Sequence, residues 1–306
     1  MKVRVGIVSY RTPEHLGQCL AALPEALGRH AADTVVVDNA SGDASPNIAR
    51  VAGAQVMVNA RNLGYARAMN QALRGAHDEF VIALNPDTVP RPRSLEQLID
   101  HLSVNRDVAL VVPRLVNPDG SLQPSVHRFP SATLALVMGL MPMALRKGRV
   151  GRHFWLEGFA DPDDSQSIDW AIGAVHVLRR SALVDPDQPY DERRFMYGED
   201  MALCWDLHQR GWQVVLDPAS EVVHFGAASA IAAFGDTIDQ RKLAADYAWY
   251  AETHGAARTR LWAAANSIGF GAKAIVAPAT WGDDDPRAIR NRRLLRIHAE
   301  HLFRRG

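Results

Sequence analysis

Asn85 and Asp87 follow directly on an unbroken apolar run, Phe80 to Leu84, which has the character of a buried strand. Residues two apart in an extended chain project to the same side, so the carboxamide and the carboxylate can act on one ligand. A carboxylate with a second oxygen ligand can hold a hard divalent cation and, through it, a phosphate. An Asn-Pro-Asp turn after a strand explains the same residues without any chemistry, and for this tripeptide alone the turn is favoured.

Three further polar groups stand at the ends of predicted elements: Asp38-Asn39, Glu199-Asp200 and His224. Asp38 suits the ribose or base of a nucleotide, and Asp200 suits a general base near a reacting hydroxyl. His224 suits a cation on a diphosphate. Each also has an ordinary structural explanation, namely an Asx turn, acids at a helix N-terminus and a hydrogen-bonded histidine. Together they provide the functions that a nucleotide-diphosphate sugar requires of a protein.

The elements that must position these groups alternate between apolar runs and amphipathic segments. Strands are predicted at 3–8, 34–37, 55–58, 80–84, 108–112, 175–178, 214–216 and 222–223. Helices between the early strands predict right-handed βαβ crossovers and a parallel sheet with helices on both faces. A dinucleotide-binding domain is disfavoured because Ser9-Tyr10-Arg11-Thr12-Pro13, not a glycine-rich loop, follows the first strand.

From about residue 227 the pattern changes to helices, predicted at 237–254, at 258–276 and after Asp285-Pro286. The third helix carries five arginines, which form either a solvated basic face or a contact with anionic lipid or a lipid pyrophosphate. Earlier in the chain, the apolar stretch 132–145 is followed by Arg146, Lys147, Arg149 and Arg152. Core packing is the favoured explanation of that stretch, and docking at a bilayer surface is the alternative.

Composition limits the classes of function. The chain has 306 residues and no net charge, which argues against a general nucleic-acid binder. Cys19 and Cys204 lie far apart and form no metal-binding pattern. With no recognisable signal peptide, this cysteine usage predicts a reducing, cytoplasmic location. No segment reads as a membrane span, because the stretch 132–145 is too short and the apolar stretch 261–281 is interrupted by polar residues and proline.

The ordered set of motifs resembles the inverting family 2 glycosyltransferases, and most closely their bacterial rhamnosyltransferase-like branch. The motifs are Val5-Gly6-Ile7-Val8-Ser9-Tyr10, Val35-Val36-Val37-Asp38-Asn39-Ala40-Ser41, Asn62-Leu63-Gly64-Tyr65-Ala66 with Asn70, Leu84-Asn85-Pro86-Asp87, Gly173-Ala174, Asp191-Glu192-Arg193 with Phe195-Met196-Tyr197-Gly198-Glu199-Asp200, and Val223-His224-Phe225-Gly226. They extend over residues 3 to 229 in the family's order. Each motif is weak by itself, and their order is what makes the resemblance specific.

The resemblance implies a fold and a set of residue roles. The fold is the GT-A type, an α/β arrangement with a mostly parallel central sheet flanked by helices. It would occupy residues 1–226, with a nucleotide-sugar half of about 1–112 and an acceptor half of about 113–226, before a helical extension at 227–306. The implied nucleotide-sugar residues are Ser9, Tyr10, Asp38, Asn39, Gly64, Asn70, Asn85 and Asp87. The implied acceptor residues are Trp170, Gly173 and Ala174, the catalytic pair is Asp200 with Glu199, and the metal ligands are Asp87 and His224.

Asn85 departs from the family pattern, because it replaces the first aspartate of the Asp-x-Asp motif and removes one negative charge from the metal site. The implied cofactor is still Mg²⁺ or Mn²⁺. The match of Gln209-Arg210-Gly211-Trp212 to the Gln-x-x-Arg-Trp motif of processive synthases is loose. Addition of a single sugar is therefore expected.

The expected function is inverting transfer of one sugar from a nucleotide-diphosphate sugar, first dTDP-L-rhamnose and second a UDP-hexose, to a hydroxyl of a glycan, lipid-linked or small-molecule acceptor. The expected location is the cytoplasm, including peripheral contact with the inner face of the membrane, without nucleic acid. One alternative is a sugar-phosphate nucleotidyltransferase, which would need a glycine-rich basic loop after the first strand. The other is a non-catalytic nucleotide-sugar-binding homologue.

Overall fold

A nine-stranded mixed sheet dominates the computed structural model, which describes residues 1–141, 165–226, 238–282 and 284–303. The strands are β1 (Lys2–Ser9), β2 (Ala31–Asp38), β3 (Gln55–Val58), β4 (Phe80–Leu84), β5 (Thr88–Pro90), β6 (Val108–Val116), β7 (Val126–His127), β8 (Gln166–Ser167), β9 (Trp170–Ala171), β10 (Val175–Arg179) and β11 (Gln213–His224). The helices are α1 (Pro13–Leu27), α2 (Ser45–Val51), α3 (Tyr65–Leu73), α4 (Ser94–Val104), α5 (Ala132–Leu140), α6 (Glu199–Gln209), α7 (Ile238–Trp281) and α8 (Pro286–Phe303).

The strand order is β3-β2-β1-β4-β10-β6-β11-β5, with β8 also on β11, while β7 and β9 form a separate ribbon. The strands β1 to β4 pair in parallel, as do β6 and β11. Only β10 interrupts this pattern in the middle of the sheet, because it runs antiparallel to both β4 and β6. The expected α/β fold with a mostly parallel central sheet is confirmed.

The predicted central strand is buried along its whole length. Every residue of β4 is inaccessible to solvent, because α1 and α4 cover one face of the sheet and α3 covers the other. On β1, Gly6 faces α3: a Cβ there would lie 2.9 Å from the Cδ2 of Leu73 and 3.1 Å from the Sδ of Met69. The glycine thus allows α3 to lie close against the sheet, which fixes the position of its first residue, Tyr65.

The closing strands differ from the sequence prediction. Segments 214–216 and 222–223 belong to one strand, β11, which pairs with β6 along both parts and shifts register between Asp217 and Glu221. Within this irregularity the Asp217 carboxylate accepts a hydrogen bond from the Ala219 backbone and lies 2.8 Å from His101. Since β6 continues to Val116, beyond its predicted end, it supplies partners for the whole of β11.

The C-terminal helices follow the predicted pattern. The helical segment α7 is broken at Gly255, whose φ of 80° and ψ of 168° are not helical. Helix α8 begins at Pro286, and the preceding Asp285 caps it by accepting a 2.8 Å hydrogen bond from the Arg287 backbone. A buried cluster joins the two helices, in which the Tyr247 hydroxyl lies 2.8 Å from Nδ1 of His298.

The apolar stretch that was expected to pack in a core forms α5 over Ala132–Leu140, and none of this helix's side chains is fully buried. The rest of the stretch and the basic residues after it, 146, 147, 149 and 152, lie outside the described residues.

The chain separates into two compact units. Residues 1–128 and 160–238 form the first, and residues 129–159 and 239–306 form the second. The boundary predicted after residue 226 borders the stretch 227–237, which is outside the described residues, so the predicted domain limits stay a prediction. Within the part of the chain that the structure describes, each helix is too short or too polar to cross a lipid bilayer.

Candidate active site

The sequence-predicted site residues lie along one edge of the sheet, where parallel strands end. Ser9 and Asp38 are paired at the ends of β1 and β2, and the backbone of Asn39 donates a 2.8 Å hydrogen bond to the Ser9 carbonyl. The carboxylate of Asp38 is buried, and its Oδ2 accepts from the Ser41 backbone at 3.2 Å. Its Oδ1 is buried and makes no hydrogen bond within the described residues, which leaves one carboxylate oxygen without a donor.

Tyr10 and Arg11 follow Ser9 at the same edge. The Arg11 guanidinium lies 5.2 Å from the centre of the Tyr10 ring, and its backbone has a φ of 56°. The Arg11 backbone nitrogen donates a 3.0 Å hydrogen bond to the Ser41 hydroxyl. The segments after β1 and β2 are therefore held together by this hydrogen bond.

The side chain of Asn39 organises the loop that precedes α3. Its Nδ2 donates to Oδ1 of Asn62 at 2.9 Å and to the Gly64 carbonyl at 3.2 Å. Its Oδ1 accepts from Nδ2 of Asn59 at 3.1 Å and from the Leu63 backbone at 3.0 Å. The carboxamide is thus fully used inside the protein, and its contribution to the site is to position this loop.

Helix α3 is joined at two points to the segment that precedes α6. The Tyr65 backbone donates a 2.7 Å hydrogen bond to the Phe195 carbonyl, next to Gly64 with its φ of 85°. One turn further on, the buried Asn70 carboxamide donates to the Tyr190 carbonyl at 2.8 Å and accepts from the Tyr190 backbone at 3.0 Å. Gly64 and Asn70 therefore fix the segment that leads to Glu199-Asp200.

Asp87 and His224 face each other at the ends of the β4–β5 turn and β11. Both side chains are buried, and Nε2 of His224 lies 3.5 Å from Oδ1 of Asp87. Nδ1 of His224 donates a 2.6 Å hydrogen bond to Oε1 of Gln123, and the Gln123 amide in turn donates to the His224 carbonyl at 3.2 Å. With the proton of the neutral imidazole on Nδ1, Nε2 is the nitrogen whose lone pair faces the carboxylate. The Phe225 backbone also donates to the Asp87 carbonyl at 2.9 Å.

This pair fits a divalent cation. Two acceptors that face each other, one of them a buried nitrogen with no hydrogen-bond partner within the described residues, suit two ligands of one ion. Across residues 1–141, 165–226, 238–282 and 284–303, no group of three or more His, Cys, Asp and Glu side chains converges on a point. A cation here would take its other ligands from phosphate and water, as Mg²⁺ commonly does.

The pair Glu199-Asp200 begins α6. Oδ1 of Asp200 accepts a 2.8 Å hydrogen bond from the Met201 backbone, and Oδ2 accepts one of 3.2 Å from the Gly173 backbone. Glu199 is buried, and burial followed by the neighbouring charge of Asp200 raises the pKa of its carboxyl group. The two adjacent acids therefore differ in environment: the raised pKa favours the protonated form of Glu199, whereas both oxygens of Asp200 accept backbone hydrogen bonds.

The residues Gly173 and Ala174 connect the strand end that carries Asp87 to Asp200. The Asn85 backbone donates a 2.9 Å hydrogen bond to the Ala174 carbonyl, and the Gly173 backbone donates to Asp200. Asn85 itself is half-buried. The strand end that carries Asp87 and the helix start that carries Asp200 are thus linked through one dipeptide.

Trp170 lies on the β7–β9 ribbon that leads to Gly173. Its indole nitrogen donates a 3.1 Å hydrogen bond to the Arg128 carbonyl, and its ring stacks on His127 with 4.5 Å between centroids. The Ile172 backbone donates a 3.0 Å hydrogen bond to the Ser125 carbonyl, which ties the ribbon to the dipeptide. The stacked pair offers an aromatic surface before the segment that contacts Asp200.

Two residues of the site were missed by reasoning from the sequence, Tyr65 and Gln123. The Tyr65 hydroxyl donates a 3.1 Å hydrogen bond to the Gly173 carbonyl. Its pKa is raised by burial and then by the negative charges of Glu199, Asp200 and Asp87. Tyr65 stood inside the quoted Asn-Leu-Gly-Tyr motif, where a tyrosine directly after a glycine turn was the available signal. Gln123 had no signal, because it follows a turn in a polar segment.

Comparison with solved structures defines the fold class. A mannosyltransferase from Pyrobaculum calidifontis, solved with GDP-Man and Mn²⁺, aligns with a TM-score of 0.60 at 15% identity, over 98% of this chain and 87% of that one. Staphylococcus aureus TarS aligns with a TM-score of 0.51 at 13% identity, over 99% and 90% of the two chains. The fold is that of the GT-A glycosyltransferases.

Comparison with sequences defines the family. Residues 4–163 match the model described as glycosyl transferase family 2. An N-acetylglucosaminyl-diphospho-decaprenol L-rhamnosyltransferase from Mycobacterium tuberculosis is 31% identical over 239 residues, 72% of this chain and 75% of that protein. Rhamnosyltransferase WbbL from Escherichia coli is 24% identical over 161 residues, 51% of this chain and 56% of that protein. The chain belongs to glycosyltransferase family 2, in its rhamnosyltransferase-like branch.

Proposed function

We propose that this glycosyltransferase moves one sugar from a nucleotide-diphosphate donor to a hydroxyl acceptor in a single inverting displacement, with Asp200 as the general base. The observation that carries the proposal is the link through Gly173-Ala174, which joins the segment of Asp87 to Asp200 by two hydrogen bonds. One runs from the Asn85 backbone to the Ala174 carbonyl, and the other from the Gly173 backbone to the Asp200 carboxylate. A diphosphate held at Asp87 would thereby leave its sugar close to the base. Apart from the Asp200 carboxylate itself, the atoms that make this link belong to the backbone.

The chemistry follows from the surroundings of the acids. Positive charge develops at the anomeric carbon as the diphosphate leaves, and the acceptor hydroxyl loses its proton as the new bond forms. Asp200 receives that proton. Its carboxylate stays ionised because two backbone amides donate to it at the start of α6, where the helix dipole also favours negative charge. Since the acceptor oxygen attacks directly, no enzyme nucleophile is required.

The donor side is proposed to be held at three places. Asp38, Ser9 and Tyr10 would contact the nucleoside, with Oδ1 of Asp38 as the acceptor for a ribose or base group. Asp87 and His224 would hold Mg²⁺ or Mn²⁺ against the diphosphate, where the ion supplies Lewis-acid stabilisation of the leaving charge. With Asn85 in place of an acid, this site has a single carboxylate, so phosphate must complete the binding of the ion.

The donor and the acceptor are proposed from the relatives. Both rhamnosyltransferases named above support dTDP-L-rhamnose as the first donor, ahead of a UDP-hexose. The Mycobacterium tuberculosis relative is named for a diphospho-decaprenol acceptor, which supports a lipid-linked sugar over a free glycan or a small molecule. Trp170 and His127 would then face the acceptor sugar, because stacked aromatic rings suit the apolar face of a sugar ring.

A donor panel tests the proposal. Binding and nucleotide release are measured for dTDP-L-rhamnose, UDP-glucose, UDP-N-acetylglucosamine and GDP-mannose, each with Mg²⁺, Mn²⁺ or a chelator. The expected result is cation-dependent binding of a dTDP- or UDP-sugar that Asp87→Ala abolishes. If no donor binds under any of these conditions, the proposal is wrong.

The base is tested separately with Asp200→Asn, for which Asp206→Asn on the same helix is the matched control. Asp206 pairs with Arg210 on the surface, away from Gly173. Asp200→Asn should bind donor normally and lose sugar transfer by about 10²–10⁴-fold, the usual contribution of a general base. Full transfer by the Asp200→Asn enzyme would exclude Asp200 as the base.

A further inference from the structure

Charge is divided unevenly between the two compact units, although the whole chain is neutral. Residues 129–159 and 239–306, the second unit, contain sixteen Lys and Arg against eight Asp and Glu. The rest of the chain contains eighteen Lys and Arg against twenty-six Asp and Glu. A neutral chain with this asymmetry is expected to present its cationic part to an anionic partner.

An exposed apolar stripe lies on the same unit. After the break at Gly255, α7 carries Leu261, Ile268 and Ile275 with 61%, 55% and 78% of their surface exposed. Seven residues are close to two helical turns, so at 100° per residue these three side chains fall within about 40° of one another. Large aliphatic residues aligned along one exposed side of a helix indicate an interaction surface.

Helix α5 adjoins this stripe. Gly139 of α5 and Gly269 of α7 are in backbone contact, and a Cβ on either one would collide with the other. Leu140 and Ile268, which follow and precede these glycines, are both exposed. The apolar surface of α7 is thus next to the uncharged helix α5, none of whose side chains is fully buried.

The charges around the stripe have one sign. Between Ala256 and Val276, α7 carries Arg258, Arg260 and Lys273 and no acidic residue. Arg258 and Arg260 are exposed and fall on opposite sides of the stripe at 100° per residue. The result is a row of aliphatic side chains bordered by cations.

We propose that this surface, formed by Leu261, Ile268 and Ile275 of α7 with Arg258 and Arg260 beside them, docks on a bilayer that contains anionic lipid. Aliphatic side chains enter the boundary between headgroups and acyl chains, and arginines beside them reach the phosphates. A second copy of the chain fits less well, because it would bring cation against cation. The surface is formed by residues of the second unit and the donor residues belong to the first, so the proposal does not rest on the proposed chemistry.

Vesicle co-sedimentation tests the docking with the full-length protein. Phosphatidylcholine vesicles are compared with vesicles that also contain phosphatidylglycerol, each at low and high salt. Binding is expected only with phosphatidylglycerol, and salt should weaken it. The double variant Ile268→Ser/Ile275→Ser should weaken partitioning by more than tenfold, and Arg258→Gln/Arg260→Gln by about tenfold.

The matched control is Val104→Ser/Val184→Ser, which removes two exposed aliphatic side chains from the first unit and should not change binding. Donor binding and thermal unfolding show that each variant is folded. The proposal is overturned if phosphatidylglycerol vesicles do not bind the parent protein, or if the stripe variant binds as well as the control. It is also overturned if sedimentation velocity shows a dimer that the isoleucine substitutions dissociate while vesicle binding persists.

Discussion

Replacement of Gly64 by alanine tests whether the junction between α3 and the segment leading to Asp200 holds the site together. Gly64 has a φ of 85° and a ψ of 169°, a conformation that is essentially restricted to glycine. A Cβ there would lie 2.9 Å from Cδ2 of Phe195 and would collide with the Phe195 carbonyl oxygen. That oxygen accepts the hydrogen bond from the Tyr65 backbone, so the added methyl group forces this contact apart.

Two costs contribute to the expected loss of stability. The strained backbone costs about 1–3 kcal/mol. Loss of the hydrogen bond between Tyr65 and Phe195 adds about 1–3 kcal/mol. For a unit of about 200 residues, a total of about 2–6 kcal/mol lowers the Tm by roughly 4–24 °C. Transfer activity should fall as well, because the displaced segment carries Asp200.

The matched control is Gly53→Ala. Gly53 has a φ of 81°, similar to that of Gly64, but a Cβ there would meet nothing within 4 Å. The Gly53→Ala variant should therefore lose only the stability that the strained backbone costs, and it should keep full activity. Thermal unfolding and initial rates of sugar transfer are measured for both variants. If the Gly64→Ala enzyme unfolds at the temperature of the control and transfers sugar normally, the junction does not position the site.

Three further predictions concern single side chains. Tyr65→Phe removes the hydroxyl that donates a hydrogen bond to the Gly173 carbonyl. The kcat should therefore fall about five- to tenfold, with the donor KM nearly unchanged. A change in KM alone would contradict this positioning role. Glu199→Gln should be increasingly more stable than the parent protein as pH rises above 4.5. The reason is the raised pKa of Glu199 in the folded state, which means that the carboxyl group ionises at lower pH in the unfolded chain. Parallel curves of Tm against pH for parent and variant would refute this prediction. Burial lowers the pKa of His298 from 6.5 to about 4, so the unfolded state gains the proton first and the packing around α8 loses up to roughly 3 kcal/mol of stability as pH falls through that range. The protection factors of the α8 amides, which correct for the pH dependence of intrinsic exchange, should therefore be lower at pH 4.5 than at pH 7, and unchanged protection factors would contradict the prediction.

The donor side of the fold was predictable from local patterns. The strand at 80–84 was predicted with its observed limits, because a buried apolar run bounded by polar residues is unambiguous. The strand at 55–58 was also predicted with its observed limits, although three of its four residues are exposed. The sequence also placed Asp38 and Asp87 at strand ends. It did not show that the side chain of Asn39 makes its hydrogen bonds within the protein, because these depend on the folded positions of Asn59 and Asn62.

The acceptor side was less predictable because its contacts are distant in sequence. Strands of two or three residues, such as β5, β7 and β9, carry too few residues for a pattern. The bonds of Asn70 to Tyr190 join positions 120 residues apart, and no local signal marks them. The position of Tyr65 among three carboxylates likewise follows from the packing of α3 on Gly6, which is a property of the folded sheet.

The direction of β10 has a consequence for how acceptors can be exchanged. Because β6 runs parallel to β4 and β10 runs against both, β6 leaves the sheet at the edge where β10 enters it. Val116 and Val175, which bound the intervening segment, therefore lie at the same edge of the sheet. Residues between these ends can be exchanged for those of a relative while β6 and β10 keep their places, provided that Gln123 and Gly173-Ala174, which contact His224 and Asp200, are retained. Chimeras of this kind are a direct route to enzymes that use the same sugar donor and transfer its sugar to a different acceptor.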